Sequence, residues 1–230
     1  MKMLSLRFVA VSILLTIAMA AIAQEGYLGE APTRTILKAQ EKADAYFAKG
    51  KFDKAMLIYR DDLAPVGDKY AQYMVAYMIL AGNGVQEDAI VASAWYRLAA
   101  QRENEQYVRI RDGLLSLFNG EQRARSDLLY IDLRRKMGDI TLVNELIRDD
   151  MKILRRRNTP KLRLEVEIDR RNRGYNQNDF DAVASRIVSR IEFMERQMGL
   201  ETTLDDAEHE TLTTLVHEAK REVEAYRASR

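Results

Sequence analysis

Apolar residues recur at steps of three and four along most of the chain, which is the spacing of one face of an α-helix. The clearest case is the stretch 71–100, in which two such faces flank Gly82-Asn83-Gly84. Glycine and asparagine tolerate the positive φ of a helix end, so this tripeptide predicts a turn between two helices packed as a hairpin. Asp88 predicts the start of the second helix, because a carboxylate there accepts hydrogen bonds from free backbone N–H groups. Trp95, the only tryptophan, lies among alanines on the inner face.

The residues at the turn and on the inner faces of 71–100 form a characteristic series. Its members are Ala71, Gly82, Gly84, Val85, Asp88, Ala92, Trp95, Ala99 and Ala100. The series resembles the Sel1-like repeat, a relative of the tetratricopeptide repeat (TPR), although Val75-Ala76 and Ile79 replace the Leu-Gly and Tyr that are usual in that family. The resemblance implies an α-solenoid that binds proteins, commonly outside the cytoplasm of bacteria. It covers this stretch alone.

Similar helical hairpins are predicted on both sides of this stretch. Before it, helices over 36–48 and 52–64 flank the turn Lys49-Gly50-Lys51. After it, Asn83-Gly84-Val85-Gln86 is echoed by Asn119-Gly120-Glu121-Gln122, which predicts a third hairpin with helices over about 103–118 and 122–137. A further helix is expected over 140–154. Together these elements predict a short solenoid of Sel1/TPR-like repeats over residues 35–155.

The C-terminal part carries two long apolar stripes, from Phe180 to Met198 and from Leu212 to Tyr226. Thr202-x-x-Asp205 lies between them and predicts the capped start of the second helix. We predict an antiparallel helical hairpin or coiled coil over 178–230, which caps the repeats or forms a homodimer. Residues 156–177 are predicted to be a basic linker or short helix, although the alternation of apolar and charged residues over 160–170 also fits a strand. The expected fold class is all-α.

The first residues of the chain have a different character. Lys2 and Arg7 precede an apolar run that ends in two Ala-x-Ala sites, so we predict a cleavable secretory signal peptide over 1–23. A flexible lead-in is expected over 24–34. The alternative is an uncleaved membrane anchor, although the apolar run is short for a membrane span. No later stretch is apolar enough to cross a bilayer. We therefore expect an exported, periplasmic bacterial protein.

The composition indicates a helix-rich protein with a buried core. Apolar residues make up 47% of the chain and charged residues 31%, and there are three prolines, which is unlike a disordered sequence. The absence of cysteine excludes disulfides and thiolate metal sites. The formal net charge of +1 becomes −1 once 1–23 is removed with Lys2 and Arg7. We therefore expect no general attraction to nucleic acid or membranes.

The familiar motifs of catalysis and cofactor binding are missing from the sequence. There is no glycine-rich phosphate loop and no Gly-x-Ser-x-Gly elbow. His209 and His217 are eight residues apart on one predicted helix, too far along its axis to share a metal ion. Adjacent acidic residues at 61–62 and 149–150 diverge on a helix and are expected on solvated faces. We therefore expect no enzymatic activity, no cofactor and no metal site.

Two groups of residues are candidates for binding a partner. Tyr70, Met74 and Tyr77 share a face of the first helix of 71–100; in stacked repeats such helices line the concave surface, where tyrosine and methionine suit peptide recognition. The alternative is that the neighbouring hairpin covers them. The second group is basic, and it fits either a polyanion or acidic partner, or pairing with the acidic C-terminal hairpin. Its members are Arg155, Arg156, Arg157, Arg170, Arg171 and Arg173.

The leading hypothesis is a periplasmic, non-enzymatic adaptor or scaffold that presents a groove of helical repeats to an envelope protein of unknown identity. One alternative is a peptidoglycan-related enzyme of the cell envelope, or a modulator of such an enzyme. Another is a structural oligomer built on the C-terminal hairpin.

Overall fold

The computed structural model describes residues 32–156 and 177–229, and within these two ranges all regular structure is helical. The all-α prediction is confirmed for them. The predicted signal peptide, residues 24–31 of the lead-in and residues 157–176 lie outside the described ranges. The helices are α1 (Arg34–Ala48), α2 (Phe52–Leu57), α3 (Lys69–Ala81), α4 (Ala89–Ala99), α5 (Glu105–Ser116), α6 (Gly120–Met137), α7 (Asp139–Arg156), α8 (Gln177–Leu200) and α9 (Asp206–Ala228).

Glycines with positive φ form the turns predicted at 49–51 and 82–84, whereas Gly120, in the third predicted turn, is the first residue of α6. Gly82 ends α3 at φ +66°, and Gly84 follows at φ +73°. A Cβ atom on Gly84 would lie 2.9 Å from the Phe52 side chain, so this position needs glycine for space as well as for backbone conformation. Asp88 caps α4 as predicted: its Oδ1 accepts hydrogen bonds from the backbone N–H groups of Ile90 and Val91 at 2.9 and 3.0 Å.

The helix predicted over 52–64 is not a continuous α-helix. After α2 the chain forms a π-helix over Ile58–Leu63 and a 3₁₀-helix over Ala64–Val66, which ends at Gly67 with φ +82°. The wider π turn buries Tyr59, whose hydroxyl donates a hydrogen bond to the carboxylate of Asp44 in α1.

The first hydrophobic core lies among α1 to α6, and the α3–α4 pair is at its centre. The alanines of the repeat-like series, Ala71, Ala92, Ala99 and Ala100, are all buried, as is Trp95. Small side chains at these positions let α3 and α4 approach each other closely, which leaves the indole of Trp95 to fill the remaining space.

The second core is formed by α7, α8 and α9. The apolar face of α7, with Val143, Ile147 and Leu154, packs against the stripes of α8 and α9, so α7 joins the C-terminal pair and not the array predicted for 35–155. The reason is complementarity: α7 supplies the third apolar face that two amphipathic helices alone would leave exposed. A homodimer through 178–230 stays a prediction. Because α7 covers the apolar stripes of α8 and α9 within the chain, such a dimer would need the outer faces of these two helices.

A buried ion cluster joins the two cores. Asp139, at the start of α7, is fully buried; its carboxylate lies 3.1 Å from Lys69 Nζ, and Arg102 Nε and Nη2 donate to it at 2.9 Å each. Lys69 Nζ also donates to Gln72 Oε1, to the carbonyl of Leu98 and to Gln101 Oε1, at 2.9 to 3.0 Å. Burial alone would raise the pKa of Asp139, but the charges of Lys69 and Arg102 outweigh it and lower that pKa.

A second junction ties α6 to the start of α9. The buried Arg134 donates through Nη2 to Glu208 Oε2 at 2.8 Å. Glu208 belongs to a capping box with Asp205, which is the N-cap of α9. The cap predicted from Thr202-x-x-Asp205 was therefore wrong by three residues: Asp205 is the first member of the box, because its carboxylate accepts the backbone N–H of Glu208. None of the described helices is long and apolar enough to cross a membrane.

Candidate functional site

The predicted partner-binding stripe of α3 is covered by the first hairpin. Met74 is only 2% exposed and belongs to the first core, so it is not available to a partner. Tyr70 is half-buried and donates to Asp44 Oδ1 at 3.3 Å, and Tyr77 packs its edge against Phe47 with 6.0 Å between ring centroids. The prediction of a concave recognition surface here is corrected, because α1 and its polar and aromatic side chains occupy that face.

The basic group was predicted either to bind a partner or to pair with the acidic C-terminal hairpin, and its described member Arg155 pairs with that hairpin. Arg155 donates to Glu218 Oε1 at 2.6 Å and to Glu222 Oε2 at 3.0 Å, both on the acidic helix α9. Arg156 is exposed and also has an interaction partner. Arg157, Arg170, Arg171 and Arg173 lie outside the described ranges, so their predicted contact with a polyanion or acidic partner stays a prediction.

The adjacent acids behave unequally. Asp149 is exposed beside Lys152, as expected of a solvated face, but Asp150 is 4% exposed and accepts hydrogen bonds from Arg186 and Arg190 of α8. The expectation that both lie in solvent was wrong for Asp150, because the apolar face of α7 turns this carboxylate inward. Both histidines are exposed. Within 32–156 and 177–229, no three metal-ligating side chains are grouped.

An open cleft of about 400 Å³ lies where α5, α6 and the C-terminal end of α8 meet. Helices α5 and α6 are consecutive, but each makes its main contacts with α4 and not with the other. Side-chain caps fix where both helices begin: Asn104 accepts the backbone N–H of Gln106 at 3.0 Å, and Asn119 forms a capping box with Gln122. The two helices therefore diverge, and the end of α8 closes the third side.

Internal ion pairs neutralise most of the charged side chains of the cleft. Arg97, on α4, pairs with Asp127 of α6 and stacks over the ring of Tyr130, with 4.2 Å from its guanidinium carbon to the ring centroid. On α5, Arg111 Nε donates to Asp112 Oδ1 at 2.7 Å. This hydrogen bond lowers the pKa of Asp112, against a smaller opposing effect of burial, and keeps the carboxylate ionised at neutral pH.

A chain of polar side chains crosses the floor of the cleft. Gln101 Nε2 donates to the hydroxyl oxygen of Tyr130 at 3.1 Å, and that hydroxyl donates to Glu201 at the end of α8. Glu201 Oε1 also accepts from the backbone N–H and the hydroxyl of Thr203, at 3.1 and 2.7 Å. Burial, and then the charge of Glu201, raise the pKa of Tyr130, so the phenol stays neutral.

Three polar side chains of the cleft have donor or acceptor atoms that are available to a ligand. Gln197 is 6% exposed, and its side-chain amide has no hydrogen-bond partner in the described part of the chain. The one fully buried side-chain polar atom without a partner there is Arg134 Nε, so the amide of Gln197 reaches the open space of the cleft. Arg123 donates only to the carbonyl of Phe118, at 3.3 Å, and neither it nor Glu103 has an ion-pair partner in the same ranges.

The cleft is not predicted by the sequence patterns. One signal was available for Gln197: it follows Met194 by three residues and precedes Met198, so a polar amide lies on the apolar side of α8. Arg123 and Glu103 carry no such signal, because unpaired charged residues are ordinary on a helical surface. Their proximity depends on how α5 and α6 lie on α4.

Comparison of the chain with models of known protein families, with curated proteins and with solved structures found no match. The Sel1-like resemblance therefore rests on the residues of 71–100, and membership of that family stays a prediction. The cleft is the candidate site on the strength of its geometry and chemistry.

Proposed function

We propose that the chain is an exported, periplasmic interaction protein without chemistry of its own, which holds a segment of another envelope protein in the α5–α6–α8 cleft. The periplasmic location is inferred from the N-terminal residues of the sequence. The helical hairpins, arranged as a short Sel1-like solenoid, would act as a rigid frame for the cleft. The observation that carries the proposal is the free, nearly buried amide of Gln197 at an open cleft.

The size of the cleft supports a binding role. Its volume of about 400 Å³ falls in the range of about 300–1,000 Å³ that is usual for ligand pockets. Its rim also offers an apolar contact, since Leu200 is 46% exposed at the end of α8. A polar lining beside an exposed leucine is suited to a peptide, which has a polar backbone and can carry apolar side chains.

The electrostatics of the cleft favour binding over proton transfer. A general acid or base works best with a pKa near the operating pH. Here the pKa of Asp112 is lowered by Arg111, and the pKa of Tyr130 is raised by burial and Glu201. Both groups therefore hold one charge state at neutral pH. This supports the adaptor over the peptidoglycan-related enzyme.

Site-specific photocrosslinking in native envelopes tests the proposal. A photoreactive phenylalanine analogue replaces Leu200 at the cleft, and the matched control places it at Leu57, an exposed leucine of the first hairpin. The two positions are comparable, at 46% and 53% exposure. We expect a discrete crosslinked protein from position 200 and none from position 57. Equal yields from both, or turnover of peptidoglycan by the purified chain, would contradict the proposal.

A further inference from the structure

We propose that the ligand of the cleft is an extended peptide segment that carries an acidic and a basic side chain. Its main-chain amide pairs with Gln197, its carboxylate with Arg123 and its cation with Glu103. This inference rests on the proposed function and specifies the chemistry of the same site.

The side-chain amide of Gln197 is complementary to the main chain of a peptide. Its side chain offers one carbonyl acceptor and two N–H donors in one plane, which matches the donor and acceptor of a peptide group. The residue as a whole is 6% exposed, and its amide atoms are not among the fully buried unpaired ones, so the amide is open to the cleft alone. A ligand in the cleft can therefore supply the hydrogen bonds that the protein does not.

Arg123 and Glu103 indicate charges of both signs on the ligand. The other ionised groups of the cleft are satisfied within the protein: Arg97 with Asp127, and Arg111 with Asp112. Glu201 accepts hydrogen bonds from Tyr130 and Thr203. A purely acidic ligand would meet Glu103, and a purely basic one would meet Arg123. A segment with both charges satisfies the two groups that remain.

The backbone conformation at Glu103 supports a fixed position for its carboxylate. Glu103 has φ +57° and is the one residue other than glycine with positive φ in the described ranges. This conformation is uncommon for a residue with a Cβ atom. It follows the 3₁₀ turn over Ala100–Arg102 and directly precedes the N-cap of α5, so the carboxylate is carried on a defined turn.

The test is a double-mutant cycle between protein and peptide, measured by NMR titration of the full purified chain. The probe is an acetylated and amidated hexapeptide with one glutamate, one lysine and four alternating leucine and alanine residues. Two variants replace its glutamate or its lysine with glutamine. The readout is the side-chain amide resonance of Gln197, which is identified by its loss in Q197L.

We expect R123Q to weaken binding of the parent peptide about fivefold and to leave the glutamate-to-glutamine peptide unchanged, because the lost partner is already absent. E103Q should show the same pattern with the lysine-to-glutamine peptide. Q197L, followed through backbone amides, should weaken all three peptides about tenfold. The control R109Q removes an exposed arginine of α5 whose pairing with Glu105 is outside the cleft, and it should change nothing.

Several outcomes would overturn the inference. They are additive effects in both cycles, no shift of the Gln197 amide with any peptide, and equally tight binding of free acetyl-glutamate amide, which would indicate a small carboxylate as ligand. Thermal midpoints equal to that of the unmutated chain show that each variant is folded. A crosslink from position 200 with no response to any peptide would refute the peptide chemistry and leave the proposed function standing. Coupling between the peptide charges and Arg123 or Glu103 without a crosslink would support the peptide chemistry and refute the capture of an envelope protein.

Discussion

Replacing Asp139 with alanine should be among the most damaging single changes in the chain. Asp139 is fully buried, and the Lys69 side chain beside it is 3% exposed. Removing the carboxylate leaves the charges of Lys69 and Arg102 without their anion, and breaking a buried ion pair in this way costs about 3–5 kcal/mol. Because Lys69 keeps its hydrogen bonds to Gln72, Leu98 and Gln101, we expect the lower end, about 3 kcal/mol.

The matched control is Asp149→Ala, on the same helix. Asp149 and its partner Lys152 are 68% and 63% exposed, so this change should cost less than about 1 kcal/mol. Urea unfolding, followed by circular dichroism and by Trp95 fluorescence, gives the free energy of unfolding for each variant. Equal losses in D139A and D149A, or a loss below about 1 kcal/mol in D139A, would refute the assignment of the cluster as the tie between the cores.

The same cluster predicts an acid dependence of stability. The pKa of Asp139 lies below its ordinary value of 3.8 in the folded chain, so the unfolded chain binds its proton first as the pH falls. Its contribution is therefore complete above about pH 5 and is lost progressively as the pH falls through the folded-state pKa. Below about pH 5 the unmutated chain should lose stability more steeply than D139N, which has no carboxylate at this position. Parallel curves would contradict the linkage.

Three further substitutions have defined outcomes in the same unfolding assay. Gly138→Ala places a Cβ atom 2.6 Å from the carbonyl oxygen of Arg134 and should lower the free energy of unfolding by at least about 2 kcal/mol. A loss below about 0.5 kcal/mol would show that the α6–α7 turn can shift to accommodate the methyl group. Gly113→Ala, within α5 and with open space around it, should stabilise the chain by about 0.5–1 kcal/mol, and a loss would contradict the helix there. Arg155→Ala should cost under about 1 kcal/mol and less in high salt, because Arg155 itself is 47% exposed; a salt-independent loss would indicate packing.

The helices and their turns were predictable because they depend on local chemistry. Gly82 and Gly84 have the positive φ that the turn requires, and Asp88 caps α4. The alanines near Trp95 were predicted to face a neighbouring helix and are buried. In each case a few consecutive residues determine the result, so no knowledge of distant contacts was needed.

The pairing of helices was not predictable from the same patterns. The apolar face of α7 fits an extra repeat or a three-helix unit equally well, and only its contacts with α8 and α9 decide between them. Met74 is buried, although the pattern of its own helix predicts a surface position. The cleft around Gln197 likewise depends on four separate parts of the chain. Such contacts are set by tertiary packing, on which single-helix periodicity carries no information.

The measurement that tests the central claim most directly is competition for the crosslink at position 200. The chain with the photoreactive residue at Leu200 is illuminated in native envelopes with and without excess hexapeptide that carries glutamate and lysine. If the cleft holds a peptide segment of its partner, the parent peptide reduces the yield of the crosslinked protein, and a peptide with both charged residues replaced by glutamine reduces it far less. An unchanged yield with both peptides would contradict the claim that this cleft is where the partner binds.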